Sequence, residues 1–88
     1  MQIILRNVME DYVILTLDRI LDDLDCCKCE KCRLDIASYT LNRIPPKYVA
    51  TTQGELMTKL FAMNTQFETN VVSEITKAAK IIGDNPRH

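Results

Sequence analysis

Between residues 3 and 24, apolar side chains fall at Leu5, Val8, Met9, Tyr12, Val13, Thr16, Leu17, Ile20, Leu21 and Leu24. Steps of three and four throughout describe one broad face of an amphipathic helix. Asp18, Asp22, Asp23 and Asp25 gather at its far end, where carboxylates oppose the helix dipole, so the helix is expected to stop near Leu24. These acids read as a solvated face, the alternative being ion pairs with Lys28, Lys31 and Arg33. A second, shorter helix of two to three turns is predicted from Leu34, Ile36, Ala37, Tyr39, Thr40, Leu41 and Ile44, with Asp35 in its first turn. Pro45 and Pro46 end it, because neither has an N–H for the helical ladder and Pro45 disfavours helical geometry at Ile44. Lys47 to Thr52 is β-prone but short, and is expected to lie across the helices rather than join a sheet. Thr52-Gln53-Gly54-Glu55 has the capping-box arrangement, which predicts a helix from Gln53. Its stripe, Leu56, Leu60, Met63, Phe67, Val71, Ile75, Ala78 and Ile82, runs to a stop signal at Gly83 with Pro86 beyond. A second row, Met57, Phe61, Val72 and Ala79, widens it.

The expected architecture is therefore all-α: three to four helices in a single domain over residues 1–88, with a cysteine zinc knuckle between the first two and a long C-terminal helix. A chain of 88 residues buries only about 60–65% of its unfolded surface, so its core is modest. A C-terminal helix of about 30 residues spans ~45 Å, more than so small a domain covers alone. Part of its stripe is accordingly assigned to a second copy of the chain, giving a homodimer; the alternative packs the whole helix inside its own monomer.

Charge and hydropathy narrow the class. A net charge of −1 and a pI near 5.7 provide no basic field for nucleic acid. Apolar runs such as Tyr12-Val13-Ile14-Leu15 fall far short of the ~18 residues of a membrane span. No charged n-region precedes them, so a secretory signal is not expected and the protein reads as cytoplasmic.

All four cysteines, Cys26, Cys27, Cys29 and Cys32, lie within seven positions of an 88-residue chain. Disulfides between such near neighbours would close tiny loops, removing little unfolded-state entropy at the risk of strain. Reduced thiols so crowded can instead chelate one thiophilic ion, and clustered intracellular cysteines favour a metal. Zinc is the leading reading: four protein ligands leave no position for substrate, so the site would be structural. Because Cys26 and Cys27 are adjacent, an alternative set is three cysteines plus an outside ligand, such as His88 or a residue of a partner chain. Cys26, Cys29 and Cys32 also open an iron–sulfur signature, but its fourth cysteine before a proline is missing. A redox pair at Cys29 and Cys32 would sit beside a βαβ pattern that this chain lacks. Free thiols are the bland alternative.

Asn7-Val8-Met9-Glu10, the Cys27, Cys29 and Cys32 spacing, Asp35, and Leu41-Asn42-x-Ile44-Pro45-Pro46-x-Tyr48-Val49-x-x-Thr52-x-Gly54-Glu55 together resemble the late competence development protein ComFB family. The resemblance covers roughly residues 7 to 75. It implies a small, helical, dimeric cytoplasmic protein with a cysteine-bound zinc in each subunit, and the cysteines it carries over are Cys27, Cys29 and Cys32. Relatives of this kind act as receptors for the second messenger cyclic di-GMP. A twofold dinucleotide suits a twofold dimer and needs cations or N–H groups for phosphate and flat surfaces for guanine. Asn42, Arg43, Lys47, Tyr48, Thr51 and Thr52 provide such groups: Arg43 to pair with or stack on guanine, Lys47 for phosphate, Tyr48 to stack, and the threonines at a helix start as a phosphate seat. Each also has a plainer use, Tyr48 and Val49 as core, Arg43 and Lys47 as solvated charges, Thr52 as a cap.

Catalysis finds little footing. The single histidine is the terminal His88, no serine sits in a nucleophile elbow, and a closed thiolate site activates no water. Two binding readings follow: a zinc-stapled dimer sensing cyclic di-GMP, or a structural adaptor that docks a protein partner without a small ligand.

Overall fold

The computed structural model describes residues 3–51 and 65–86. Strand β1 (Ile3–Asn7) leads into helix α1 (Val8–Ile20), which tightens into a 3-10 turn at Leu21–Asp23. Helix α2 covers Glu30–Leu41, strand β2 Tyr48–Thr51, and helix α3 Thr65–Asp84. The fold is thus largely helical but not purely so, because β1 and β2 form a two-stranded antiparallel sheet.

The first correction lies at the amino end. The helical stripe begins at Val8, not before it, and Leu5 is 79% exposed. Asn7 explains the break. Its backbone is extended (φ −93°, ψ 105°), and its side-chain Oδ1 accepts from the Met9 N–H at 3.1 Å, which caps α1. The same oxygen accepts from the Lys47 N–H at 2.9 Å, and the Val8 N–H donates to the Lys47 carbonyl at 2.9 Å. One amide side chain thereby starts a helix and delivers the chain after the prolines to the edge of β1. The second correction follows: the segment expected to lie across the helices pairs with β1, in the register Ile3 with Thr51, Arg6 with Val49 and Asn7 with Tyr48, with an irregularity between Ile3 and Arg6.

From Val8 onward the apolar pattern holds. Met9, Val13 and Leu17, four residues apart on α1, are fully buried against Ile36 and Ala37 of α2 and Val71, Ile75, Ala78 and Ala79 of α3. Tyr12 and Phe67 meet at 5.3 Å between ring centres, tilted by 55°, a favourable aromatic geometry. At the acidic end, Asp18 is not merely solvated. Arg33 of α2 grips its carboxylate with two bonds, Nε to Oδ1 at 2.7 Å and a terminal nitrogen to Oδ2 at 2.9 Å. Arg19 of α1 pairs with Glu68 of α3 at 2.5 Å.

The described part of the long-helix stripe, Phe67 through Ile82, packs on the chain's own α1 and α2. Its upstream part, from Gln53 with the capping box and including Leu56, Leu60 and Met63, lies outside the described residues. The helix ends at Asp84, one residue past the stop expected at Gly83, so that glycine lies in its last turn. α2 stops just before Ile44-Pro45-Pro46, as the prolines require, with the Asn42 N–H returning to the Ser38 carbonyl at 3.1 Å.

Replacing Asn7 by Ala removes a cap, at about 0.5–2 kcal/mol, and a bond to the Lys47 backbone, at about 0.5–1.5 kcal/mol. Asn7→Ala should therefore lower the urea-unfolding free energy by about 1–3 kcal/mol, while Asn7→Asp, which keeps the acceptor oxygen, should stay near wild type. At the centre of the core, Ile75→Ala should cost about 2–5 kcal/mol in the same assay.

Candidate metal centre

Helix α2 begins inside the cysteine cluster, not after it. Cys29 is its N-cap, in extended conformation (φ −69°, ψ 162°), and its Sγ accepts from the Cys32 N–H at 3.4 Å. Asp35 consequently lies in the second turn, one turn later than expected. This N-terminus gathers three of the four thiols: the sulfurs of Cys27, Cys29 and Cys32 all lie within 4.8 Å of one another. Cys27 and Cys29 are exposed, whereas Cys32 is buried at 1% exposure.

The electrostatics of the trio are uneven. The Cys32 N–H, and then the Cys27 thiol, hold the Cys29 thiol below its ordinary value. A helix N-terminus stabilises a thiolate in this way. Burial pushes Cys32 the other way, up to about 12, and its hydrogen bonds with Cys29 and Cys27 add to this. A poised dithiol at Cys29 and Cys32 would have the same asymmetry. The third converging sulfur is what a chelate would use and a pair would not, and the antiparallel ribbon is not the βαβ setting of a thioredoxin-like site.

Cys26 is placed differently. It is half-buried against the hydrophobic core and is not part of the three-sulfur group. Burial raises its thiol, with Lys28 partly offsetting this. Lys28 also organises the approach to the site, its ammonium donating to the carbonyls of Leu24 at 2.8 Å and Cys26 at 3.1 Å. Arg33, next to Cys32, ties the cluster to α1 through Asp18, whose carboxyl its guanidinium holds below the usual carboxylate value.

The chemistry of this donor set fits zinc. Three soft thiols converge at one point, and the tetrahedral separation of sulfurs on a zinc ion is about 3.8 Å for bonds of about 2.3 Å. Cys27, Cys29 and Cys32 could thus supply three ligands. His88, the outside ligand considered from sequence, lies outside the described residues.

The residues proposed for a nucleotide are spread along one loop and one strand. Asn42 follows α2 directly, and Arg43 turns toward α3. Its guanidinium sits 5.3 Å from the Tyr39 ring centre, and its Nε is 3.4 Å from Glu74, which Lys77 also approaches at 3.6 Å. Arg43 is exposed, as its solvated alternative expected, and is also stacked on Tyr39 and paired with Glu74. Tyr39 and Glu74 had no role in the sequence reading, although Tyr39 stands four residues before Arg43, at the helical stacking distance. Lys47 is held by its backbone at Asn7. Tyr48 is 63% exposed on β2 while Val49 is buried, so Val49 alone of that pair serves the core. Thr51 closes β2 opposite Ile3; Thr52 lies outside the described residues. A groove between α1 and α2 is lined by Glu10, Ile14, Leu34, Ala37, Ser38 and Leu41 together with Asn42. Within the described residues no helix is long and apolar enough to cross a membrane.

Comparison with known proteins agrees with this architecture. The family model of the late competence development protein ComFB matches residues 6–86. The competence protein ComFB of Bacillus subtilis (strain 168) is 28% identical over 71 residues, which cover 80% of this chain and 72% of that protein. The solved structure of the late competence protein ComFB from Bacillus subtilis superposes with a TM-score of 0.86 at 27% identity, covering 94% of this chain and 92% of that one. With the family model spanning the thiol cluster, the proline loop and all of α3, the chain belongs to the late competence development protein ComFB family.

Proposed function

We propose that this chain is a non-enzymatic regulatory protein of the cytoplasm, stapled by zinc, working as a homodimer and receiving cyclic di-GMP. The observation that carries the reading is the convergence of Cys27, Cys29 and Cys32 within 4.8 Å at the start of α2. Zinc bound there takes the place of the thiol protons and joins the loop before α2 to its first turn. The protein's own residues do the rest. The Cys32 N–H stabilises charge on Cys29, Lys28 fixes the loop carbonyls, and Arg33 fastens the assembly to Asp18. A small three-helix core gains rigidity from such a crosslink, and metal-binding free energy becomes folding free energy.

Support for the dinucleotide comes from the loop between α2 and β2. The Arg43 guanidinium lies on Tyr39 with its own side chain 55% exposed, which leaves a flat cationic surface for a guanine, and the exposed Tyr48 ring is a second stacking surface. Asn42, Lys47, Thr51 and Thr52 are the polar groups proposed around it. An adaptor reading without a small ligand is favoured by one observation, the apolar floor of the groove at Ile14, Ala37 and Leu41 beside Leu34, which is 49% exposed. In that reading the protein docks a partner of the competence machinery there.

Removing zinc with a chelator, or substituting Cys29→Ser together with Cys32→Ser, should lower the melting temperature by more than about 10 °C; an unchanged melting curve would sink the staple. Calorimetric titration with cyclic di-GMP should give saturable heat that Arg43→Ala weakens by about tenfold or more. Absence of heat with the wild-type protein, together with recovery of one protein partner irrespective of nucleotide, would select the adaptor.

A further inference from the structure

Gly83 stands in the last turn of α3, where sequence alone made it a helix stop. Its backbone has no unusual geometry: no residue among those described has a positive φ. Conformational freedom therefore does not account for a glycine here. Space does. A Cβ built at this position would lie 3.2 Å from the Asp25 carbonyl oxygen and 3.3 Å from the Cys26 Cβ, with the Cys26 Cα at 3.6 Å. Two of these three neighbours are backbone atoms, which cannot rotate away as a side-chain tip can. The segment touching Gly83 is the one that enters the three-thiol cluster. It is already tethered, since Lys28 spans the carbonyls of Leu24 and Cys26, and Cys26 packs on the core. Cys27, the first sulfur of the cluster, follows immediately.

We propose that Gly83 is the seat of the metal loop: a positioning residue whose missing side chain lets Asp25 and Cys26 rest on α3, so that Cys27 reaches Cys29 and Cys32. The inference rests on the metal reading of that cluster and adds a residue to it 51 positions beyond Cys32 in the chain. A methyl group at 83 displaces the loop at the point where it enters the site, and Cys27 moves with it. The contact also works in reverse. An ion that holds Cys27 presses the preceding residues onto the carboxyl end of α3, so occupancy of the site is felt in that turn.

The sign of the effect separates this role from an ordinary helical one. Glycine inside a helix is less favourable than alanine, so a position that served only the helix would be improved by Gly83→Ala. Zinc affinity would be measured on the full chain by competition with a colorimetric chelator, beside the metal-free melting temperature. Ser73→Ala, at an exposed position on the same helix, is the control. The expected result is a loss of zinc affinity of about tenfold or more for Gly83→Ala, with metal-free helicity retained and no loss for the control. An unchanged affinity overturns the proposal, whether the melting temperature rises or falls. Hydrogen exchange on the wild-type protein gives a reading independent of any variant: zinc chloride should slow exchange of the Ile81, Ile82 and Gly83 amides, and unchanged exchange there also overturns it. If the wild-type protein takes no zinc at all, the metal reading falls first and Gly83 loses its role with it; zinc-tight binding in both wild type and Gly83→Ala rejects the seat alone.

Discussion

A helix needs something to satisfy the N–H groups of its first turn, and in this protein a cysteine does so. Because Cys29 caps α2 through its sulfur, the next thiol along the helix, Cys32, is carried onto the same face, and the approaching loop adds Cys27. Helix initiation and thiol clustering are thus one local event. That helix then supplies Ile36 and Ala37 to the core and Arg33 to the clamp on Asp18, so the arrangement of the bundle is anchored where the sulfurs meet.

What the sequence disclosed, and what it concealed, follows from the range of the forces involved. The stripes over Val8–Leu17 and Phe67–Ile82 were readable because burial acts on every turn with the same period, and both faces are where that period places them. The ribbon was not readable. Five residues of apolar and polar character at Ile3–Asn7 extend the helical count by accident, and only a partner strand some forty residues away decides their conformation. A cue did exist at the boundary. Asn7 followed three residues later by Glu10 has the form of a helix start, and giving it more weight than the periodicity would have broken the segment at the correct residue.

The site divides along similar lines. Spacing alone marked the cysteines as candidate ligands, because a cluster local in sequence is also local in space. Spacing did not say which of them converge; the family resemblance did, since it carries over Cys27, Cys29 and Cys32, the three whose sulfurs meet. Cys26 and Cys27 are neighbours whose side chains take opposite surroundings, one against the core and one in the cluster, and that outcome depends on α3 passing nearby. Arg43 shows the same limit: its cationic character was plain, but its engagement with Glu74 depends on a helix that the intervening chain must first deliver. Short-range chemistry is written in the sequence, while the choice between equivalent side chains is made by tertiary contact.

The Asn7 amide oxygen is used twice. Its bond to Met9 spans two residues and its bond to Lys47 spans forty. The first can form as soon as α1 nucleates, whereas the second needs the chain beyond the prolines to return across forty residues. The start of α1 is therefore satisfied from within its own turn, and opening the two-stranded ribbon leaves that cap in place.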